Sequence, residues 1–426
     1  MNPEISIVVP TLDNYQDLCY LIKSINHQTL LPKEIVISDS SSSNLIEDSI
    51  AKIASEVPIV YLRVGRAYRF DRLLNLLFSL KFFWRFSPKL PPGRAFPYEA
   101  TNAGVKKASF EWIAFLDATT IPRKSWLKDY WNFLCVHKCD VVFGNTKYFA
   151  NTKFQKILRA STYGKKGHET APGSIIKKID FLDGHEIMEG VRSGGDVAWK
   201  IKIKSNFKYF SPSEYYLKYS SLPKTILPTL RKFFIYQVYG SIVDIQHSVK
   251  SVYLGLTLML SLIIVPKWNY IVGWDSAFFI PHITKVFFIC FLLICTITLL
   301  INIAFFRRFS RNSFLVNTCK LMIFFTIAYS VFNWNAAVAK WVEDSVWYIP
   351  HITKIFIFCV ALASFIYRGI YFPLNNKIKF KFLFPFNWIL VGILGIILDL
   401  VKAPGYLLGG ILSSIIAGKS FKKTLQ

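Results

Sequence analysis

Acidic residues are scarce in this sequence: 26 of its 426 positions are Asp or Glu, against 51 Lys or Arg, for a formal net charge of +25. That scarcity excludes a surface built to repel anions and predicts anionic partners, either nucleic acid or lipid. Cysteine is sparse as well. Four of the seven, Cys290, Cys295, Cys319 and Cys359, fall inside apolar segments, where a thiol behaves as a small hydrophobe, so no disulfide framework is expected. Cys135, His137 and Cys139 form a CxHxC cluster, but the spacing fits no common zinc pattern, and the end of a helix running into a buried strand explains it better. An export signal is missing too: the opening MNPEISIVVP has no basic start, no long apolar core and no cleavage site. The first domain is therefore expected in the cytoplasm.

Apolar surface is abundant. The chain is 53% hydrophobic, more than a soluble core of this length needs. From Val252 onward long apolar runs alternate with short polar loops, which predicts transmembrane spans near 249–266, 286–306, 314–332 and 354–372. A further apolar stretch at 386–417 is broken at Lys402-Ala403-Pro404-Gly405 and predicts a hairpin or re-entrant pair. Arg307, Arg308 and Arg311 lie in one loop and Lys377, Lys379 and Lys381 in another; the positive-inside rule assigns both loops to the cytoplasmic side. With basic residues beside aromatic ones in such a chain, anionic lipid is the expected partner rather than nucleic acid. Residues 69–93 rim a Leu/Phe/Trp surface with Arg69, Arg72, Lys81, Arg85 and Lys89, which predicts an interfacial helix, and Leu227 to Tyr239 predicts a second. DSAFFIPHITKVFFIC (275–290) recurs as DSVWYIPHITKIFIFC (344–359). A duplicated helix start, with Pro in its first turn, accounts for the repeat, including His282 and His351, more simply than a ligand site does.

The first 220 residues read as an ordinary mixed domain. Ile5 to Val9 is a β-rich run ending at Pro10-Thr11, and Asn14 to Gln28 carries Leu18, Leu21, Ile22 and Ile25 at helical spacing. Glu34 to Ser38 repeats the strand pattern and ends at Asp39. Ser40 to Ser43 then opens a second helix through Leu45, Ile46 and Ile50, Ile59 to Leu62 is a third strand, and Trp112 to Leu116 a fourth that ends at Asp117. Alternation of this kind predicts a parallel, doubly wound sheet that binds ligands at the carboxyl ends of its strands. Thr11, Asp39 and Asp117 fall there, although an Asp after a strand also caps the next helix.

The blocks ISIVVPTLDN (5–14), SINHQTLLPKEIVISDSSSSN (24–44), ATNAGVKKASFEWIAFLDATTIPRKSWL (100–127) and SGGDVAWKIKI (193–203) resemble, in order and separation, those of glycosyltransferase family 2. The resemblance implies an α/β GT-A catalytic domain over 1–220, an interfacial linker helix over 221–248 and a transmembrane region of four to six helices over 249–426. It implies donor binding by Pro10, Thr11, Asp13, Asp39, Arg94, Asn102 and Asp117. The family's Asp-x-Asp metal motif reads Asp117-Ala118-Thr119 here, so a Mg²⁺ or Mn²⁺ on the donor diphosphate would be held by Asp117 and Thr119. Asp196, in Gly194-Gly195-Asp196, takes the position of the base that accepts the acceptor hydroxyl's proton, with the preceding Glu of the family pattern missing and Glu189 as the second candidate.

The resemblance thus implies an inverting enzyme that moves a sugar from a nucleotide-sugar donor to a lipid-linked or polysaccharide acceptor at the cytoplasmic membrane face, in envelope or exopolysaccharide synthesis. A processive synthase is the weaker reading, because Gln237-Val238-Tyr239-Gly240 does not match the Gln-x-x-Arg-Trp motif. A non-catalytic membrane scaffold that keeps the fold is the reading of a different class, motivated by Thr119 and Gly195.

Overall fold

The computed structural model describes residues 3–41, 43–65, 95–243 and 365–416, with shorter pieces between 267 and 293 and residue 362. In order, the first elements are β1 (Ile5–Thr11), α1 (Tyr15–Asn26), β2 (Glu34–Asp39), α2 (Leu45–Ser49), β3 (Ile59–Arg63), α3 (Pro97–Lys107) and β4 (Trp112–Phe115). Then come β5 (Thr120–Pro122), α4 (Trp126–His137), β6 (Val141–Tyr148), α5 (Lys153–Thr162), β7 (His168–Lys177), α6 (Lys178–Leu182) and α7 (Gly195–Asn206). β8 (Tyr209–Phe210), β9 (Leu217–Tyr219), α8 (Ile226–Ile242), α9 (Phe372–Asn375), α10 (Phe380–Leu383) and α11 (Asn387–Ile416) complete the set.

One nine-stranded sheet runs β3-β2-β1-β4-β7-β6-β9-β5, with β8 beside β6. Strands β3, β2, β1 and β4 pair in parallel, as the alternation of strand and helix predicts. The sheet is not parallel throughout: β7 runs antiparallel to both β4 and β6, and β5 antiparallel to β9. This corrects the doubly wound expectation: the fold is α/β with a mixed sheet. The reversal enters after β6: β6 runs in the same direction as β4, and β7, returning through α5, lies between them in the sheet and opposes both.

Both faces of the parallel half are covered, and β2 is buried at every residue. Ile5, Ile7 and Val9 of β1 pack with Leu18, Leu21, Ile22 and Ile25 of α1, and Val8 faces the other layer with Val36, Val105 and Trp199. The period of two in β1 and of 3.6 in α1 thus meet in one core. Helix α3 lies close on the sheet because Gly104 has no side chain: a Cβ there would collide with Ser38 and Val8. Gly104→Ala is expected to cost about 1–3 kcal/mol, since both collisions are with buried, packed atoms. Urea unfolding of the full chain measures this, and an unchanged midpoint would refute the close-packing account.

The chain divides into two compact units, Met1–Tyr239 with Arg368–Lys402, and Gly240–Tyr367 with Ala403–Gln426. The first unit therefore draws in C-terminal residues that the sequence assigns to a separate membrane region. Ile378, Leu383, Val391, Leu394 and Leu398 share a buried cluster with Ile157, Leu158 and Ala160 of α5 and with Phe233 of α8. Arg368 holds Asp399 through two hydrogen bonds of 2.8 Å. The hairpin expected over 386–417 is corrected as well: α11 runs unbroken for 30 residues through Pro404 and Gly405. Among the described residues, no helix is long and apolar enough to cross a membrane. The spans expected at 249–266 and 314–332 lie outside the described residues, and those at 286–306 and 354–372 lie largely outside them. The interfacial segment 69–93 is also outside. In helix α8 the residues Phe233, Phe234, Ile235, Val238 and Tyr239 are buried, so most of that expected interfacial face is covered by protein, while Ile226 and Leu227 stay exposed.

Within the second unit, Asn269 bonds both main-chain groups of Ile280 at 2.9 Å. The Lys285 N–H donates to the Pro281 carbonyl at 3.0 Å. His282 and His351 lie outside the described residues.

Candidate active site

The parallel strands end at one edge, and their register aligns Thr11 with Asp39 and Asp39 with Arg63. The Asp39 side chain is fully buried. Its Oδ1 accepts hydrogen bonds from the Thr11 hydroxyl at 3.0 Å, the Ser41 amide at 2.9 Å and the Ser41 hydroxyl at 2.5 Å, while its Oδ2 accepts one from Tyr61 at 3.0 Å. Burial, with Asp39's negative charge among the further causes, pushes the Tyr61 phenol up to about 12, so it stays a donor. Ser41 Oγ accepts from the Asp13 amide at 2.8 Å, and Arg63 donates to the Ser41 carbonyl at 2.9 Å. Asp13 itself is exposed with φ of 54°, a left-handed turn that an Asp tolerates better than most residues. Asp39 is therefore the hub that ties three strand ends together, with little of its own acceptor capacity left over. Helix α2 starts only at Leu45, after Asn44, so Asp39 is not its cap.

Beyond β4, the Leu116 amide still bonds the Val8 carbonyl at 3.0 Å, which leaves Asp117 beside Pro10 at the end of β1. Asp117 is half-buried, and among the described residues its carboxylate has no hydrogen-bond or ion-pair partner. Burial, and secondly the charge of Asp196, push its carboxyl up to about 7. Thr119 is half-buried two residues on.

Asp196 stands in the first turn of α7, whose N-cap Gly194 has φ of 87°. Its Oδ1 accepts a hydrogen bond of 2.8 Å from Tyr98 of α3. Burial and the Asp196 charge keep the Tyr98 phenol protonated well above its ordinary range. Gly195 makes this contact possible, because a Cβ there would lie 2.8 Å from the Tyr98 ring. The Glu missing before Asp196 is thus replaced by space for a tyrosine. Tyr98→Phe is expected to lower turnover roughly tenfold or more through loss of side-chain positioning, with donor KM unchanged. Gly195→Ala should reproduce the loss with the phenol still present. Steady-state kinetics on both variants tests this, and a Gly195→Ala enzyme with wild-type turnover would count against it.

Asn102 is buried in α3. It donates to the Ile187 carbonyl at 2.7 Å and to Glu189 at 3.1 Å, and accepts from the Ile187 amide at 3.2 Å. With Glu99, which accepts from the Phe96 and Gly190 amides, it clamps the 187–190 segment to α3. Glu189, the second candidate base, is thereby committed to a neighbour. Arg94 lies outside the described residues.

Aromatic and basic side chains line the far side. Tyr148 packs against Tyr163 at 3.9 Å and Tyr219 at 5.2 Å between ring centroids. Lys232 of α8 lies over Tyr219 and Tyr236 at 5.3 and 5.4 Å, and burial, then the charge of Arg192, bring its ammonium down to about 8. Tyr61, Tyr98, Lys232 and Arg192 belong to no sequence motif, so only their positions reveal them. At the end of α4, His137 stacks on Phe210 at 3.9 Å and Cys135 is exposed, so the CxHxC residues do end a helix. Among the described residues no group of three or more His, Cys, Asp or Glu side chains gathers to hold a metal.

Residues 82–189 match the family model described as glycosyl transferase family 2. The likeness to this family lies within that span. The matched span includes Asn102, Asp117, Thr119 and Glu189 and stops short of Asp196. Chondroitin synthase from Escherichia coli is 22% identical over 205 residues, which is 47% of this chain and 24% of that protein, so the chain spans about a quarter of that relative's length. Among solved structures, residues 1–349 of S. aureus TarS in complex with UDP-GlcNAc align at 15% identity over 70% of this chain and 81% of TarS 1–349, with a TM-score of 0.39. The mannosyltransferase PcManGT from Pyrobaculum calidifontis, in complex with GDP-Man and Mn²⁺, aligns at 12% identity over 98% of this chain and 89% of its own, with a TM-score of 0.42.

Proposed function

We propose that the protein is an inverting glycosyltransferase that moves a sugar from a nucleotide-sugar donor to a lipid-linked or polysaccharide acceptor, at the cytoplasmic face of a membrane and in cell-envelope or exopolysaccharide synthesis. The observation that carries this reading is the unpaired Asp117 within electrostatic reach of an Asp196 that Tyr98 holds in place. Two carboxylates held together at a ligand-binding sheet edge, one of them uncompensated, suit a reaction in which cationic and proton-bearing groups arrive with the substrates.

The donor's nucleoside occupies the pocket organised by Thr11, Asp13 and Asp39. An acceptor hydroxyl oxygen bonds to the anomeric carbon, the bond from that carbon to the diphosphate breaks, and the hydroxyl proton passes to Asp196. Arg192 and Lys232, whose charges act on each other, supply positive charge as the diphosphate leaves. A divalent cation fits the residues present: Asp117 has a free carboxylate and Thr119 a hydroxyl, and Mg²⁺ or Mn²⁺ typically takes one or two carboxylates and completes its shell with water and substrate phosphate. When bound it neutralises leaving-group charge. The membrane setting is supported by the apolar runs after Val252 and by the exposed Phe380 and Phe386 beside Lys377, Lys379 and Lys381.

The test is release of nucleoside diphosphate from UDP-, GDP- and dTDP-sugars by detergent-purified protein with Mn²⁺ or Mg²⁺ and a membrane extract as acceptor source. Turnover of one donor supports the transferase. Binding and turnover of none would favour the scaffold.

A further inference from the structure

A second group of charges stands apart from the carboxylates. Arg159 in the last turn of α5, Lys165 in the loop that follows and Lys379 at the N-cap of α10 converge without a carboxylate among the described residues to balance them. The fold forces them together. Gly164, at φ of 69°, packs directly on Asn376, and the Lys165 amide donates to the Asn376 carbonyl at 2.8 Å. Ile378, next to Lys379, is buried against Ile157 and Leu158 of α5. Arg159 donates through Nη1 to the Tyr148 carbonyl at 3.3 Å, and its Nε is buried with no hydrogen-bond partner. Burial, then the charges of Arg159, Lys379 and Lys147, lower the Lys165 ammonium, as expected for cations held together without an anion.

We propose that Arg159, Lys165 and Lys379 form a subsite for a phosphate ester, and that this ester belongs to the acceptor. A guanidinium N–H and two ammonium groups meet a phosphate from several sides, which one surface lysine does not do. The subsite lies close to the chemistry, because Tyr148 presents its carbonyl to Arg159 while its phenol senses the charges of Asp196 and Asp117. Tyr371, Phe380 and Phe386, all exposed in the segment that carries Lys379, offer an apolar edge for a lipid tail attached to that phosphate. The subsite stands on these contacts alone, and its use by an acceptor rests on the transferase reading above.

The experiment uses the full chain and phosphatidylcholine vesicles doped with phosphatidic acid or, at equal surface charge, with phosphatidylserine. Wild type is expected to bind the phosphatidic acid vesicles more tightly, and Lys165→Gln with Lys379→Gln to lose about tenfold and the preference with it. Lys33→Gln with Lys128→Gln, which removes the same charge from exposed positions elsewhere, should keep the preference. Competition by soluble glycerol phosphate would identify the phosphate group itself as the ligand; preference without competition would identify the lipid headgroup. Equal binding of wild type to both vesicles, or a preference retained by the Lys165/Lys379 variant, overturns the proposal. The assay reads no sugar transfer, so a protein that turns over no donor yet prefers phosphatidic acid would sink the transferase reading and leave the subsite standing.

Discussion

Asp196→Asn is expected to reduce sugar transfer by roughly 10²–10⁴-fold while leaving donor affinity within about threefold, because it removes the proton acceptor and little else. The amide keeps the size of the carboxylate and can still accept the Tyr98 hydrogen bond, so the α3–α7 contact survives. Single-turnover rates and donor titration on the same preparation separate the two effects. A variant within tenfold of wild type would remove Asp196 from the chemistry and return attention to Glu189. That residue already bonds Asn102, and using it would require that bond to break.

Asp117→Asn should act in opposite directions on activity and on stability. Activity is expected to fall roughly 10²-fold or more, since a neutral amide is a poor partner for a divalent cation. Stability should rise at neutral and alkaline pH. The carboxyl is pushed from an ordinary value of 3.8 up to about 7 in the fold, so between those values the folded state binds the extra proton and stability declines as pH rises. The penalty is absent below about pH 4 and fully present above pH 7. At about 1.4 kcal/mol per pH unit its upper limit is roughly 4 kcal/mol, reduced by whatever solvent reaches the half-buried group. Thermal unfolding should show the variant melting above wild type at pH 8, with the gap closing by pH 4. Added Mn²⁺ should raise the wild-type Tm and leave the variant unmoved. Equal melting curves at pH 8 would mean that Asp117 carries no penalty.

The two substitutions also explain why part of this site can be read from sequence and part cannot. Thr11, Asp39 and Asp117 each follow a strand whose apolar run is plain, and a parallel strand delivers its last residue to the ligand edge whatever the rest of the chain does. Asp196 was reachable only through the resemblance, since a Gly-Gly-Asp before a helix is otherwise an ordinary helix start. Tyr98 left no sign: it is one tyrosine in the first turn of a helix 98 positions before the residue it holds. Asn102 was read as a donor contact from the family resemblance; its hydrogen bonds to Ile187 and Glu189, which the sequence does not show, depend on which face of α3 turns inward.

What the sequence determined by itself is what depends on neighbours along the chain. The strands β1 to β4, the buried stripe of α1 and the strand-end carboxylates all follow from local periodicity and local backbone preference. Tertiary structure decided whatever required two distant segments to compete for one place. It reversed β7 against β4, carried α11 straight through a Lys-Ala-Pro-Gly break, and packed residues 378–398 onto α5. It also brought Asp117 within reach of the Asp196 charge and left the Arg159 Nε without a hydrogen-bond partner among the described residues. The reason is energetic. Burial of apolar area and the cost of unpaired polar groups are properties of whole surfaces, and they override a local break or a strand direction whenever the packed alternative is better by a few kcal/mol.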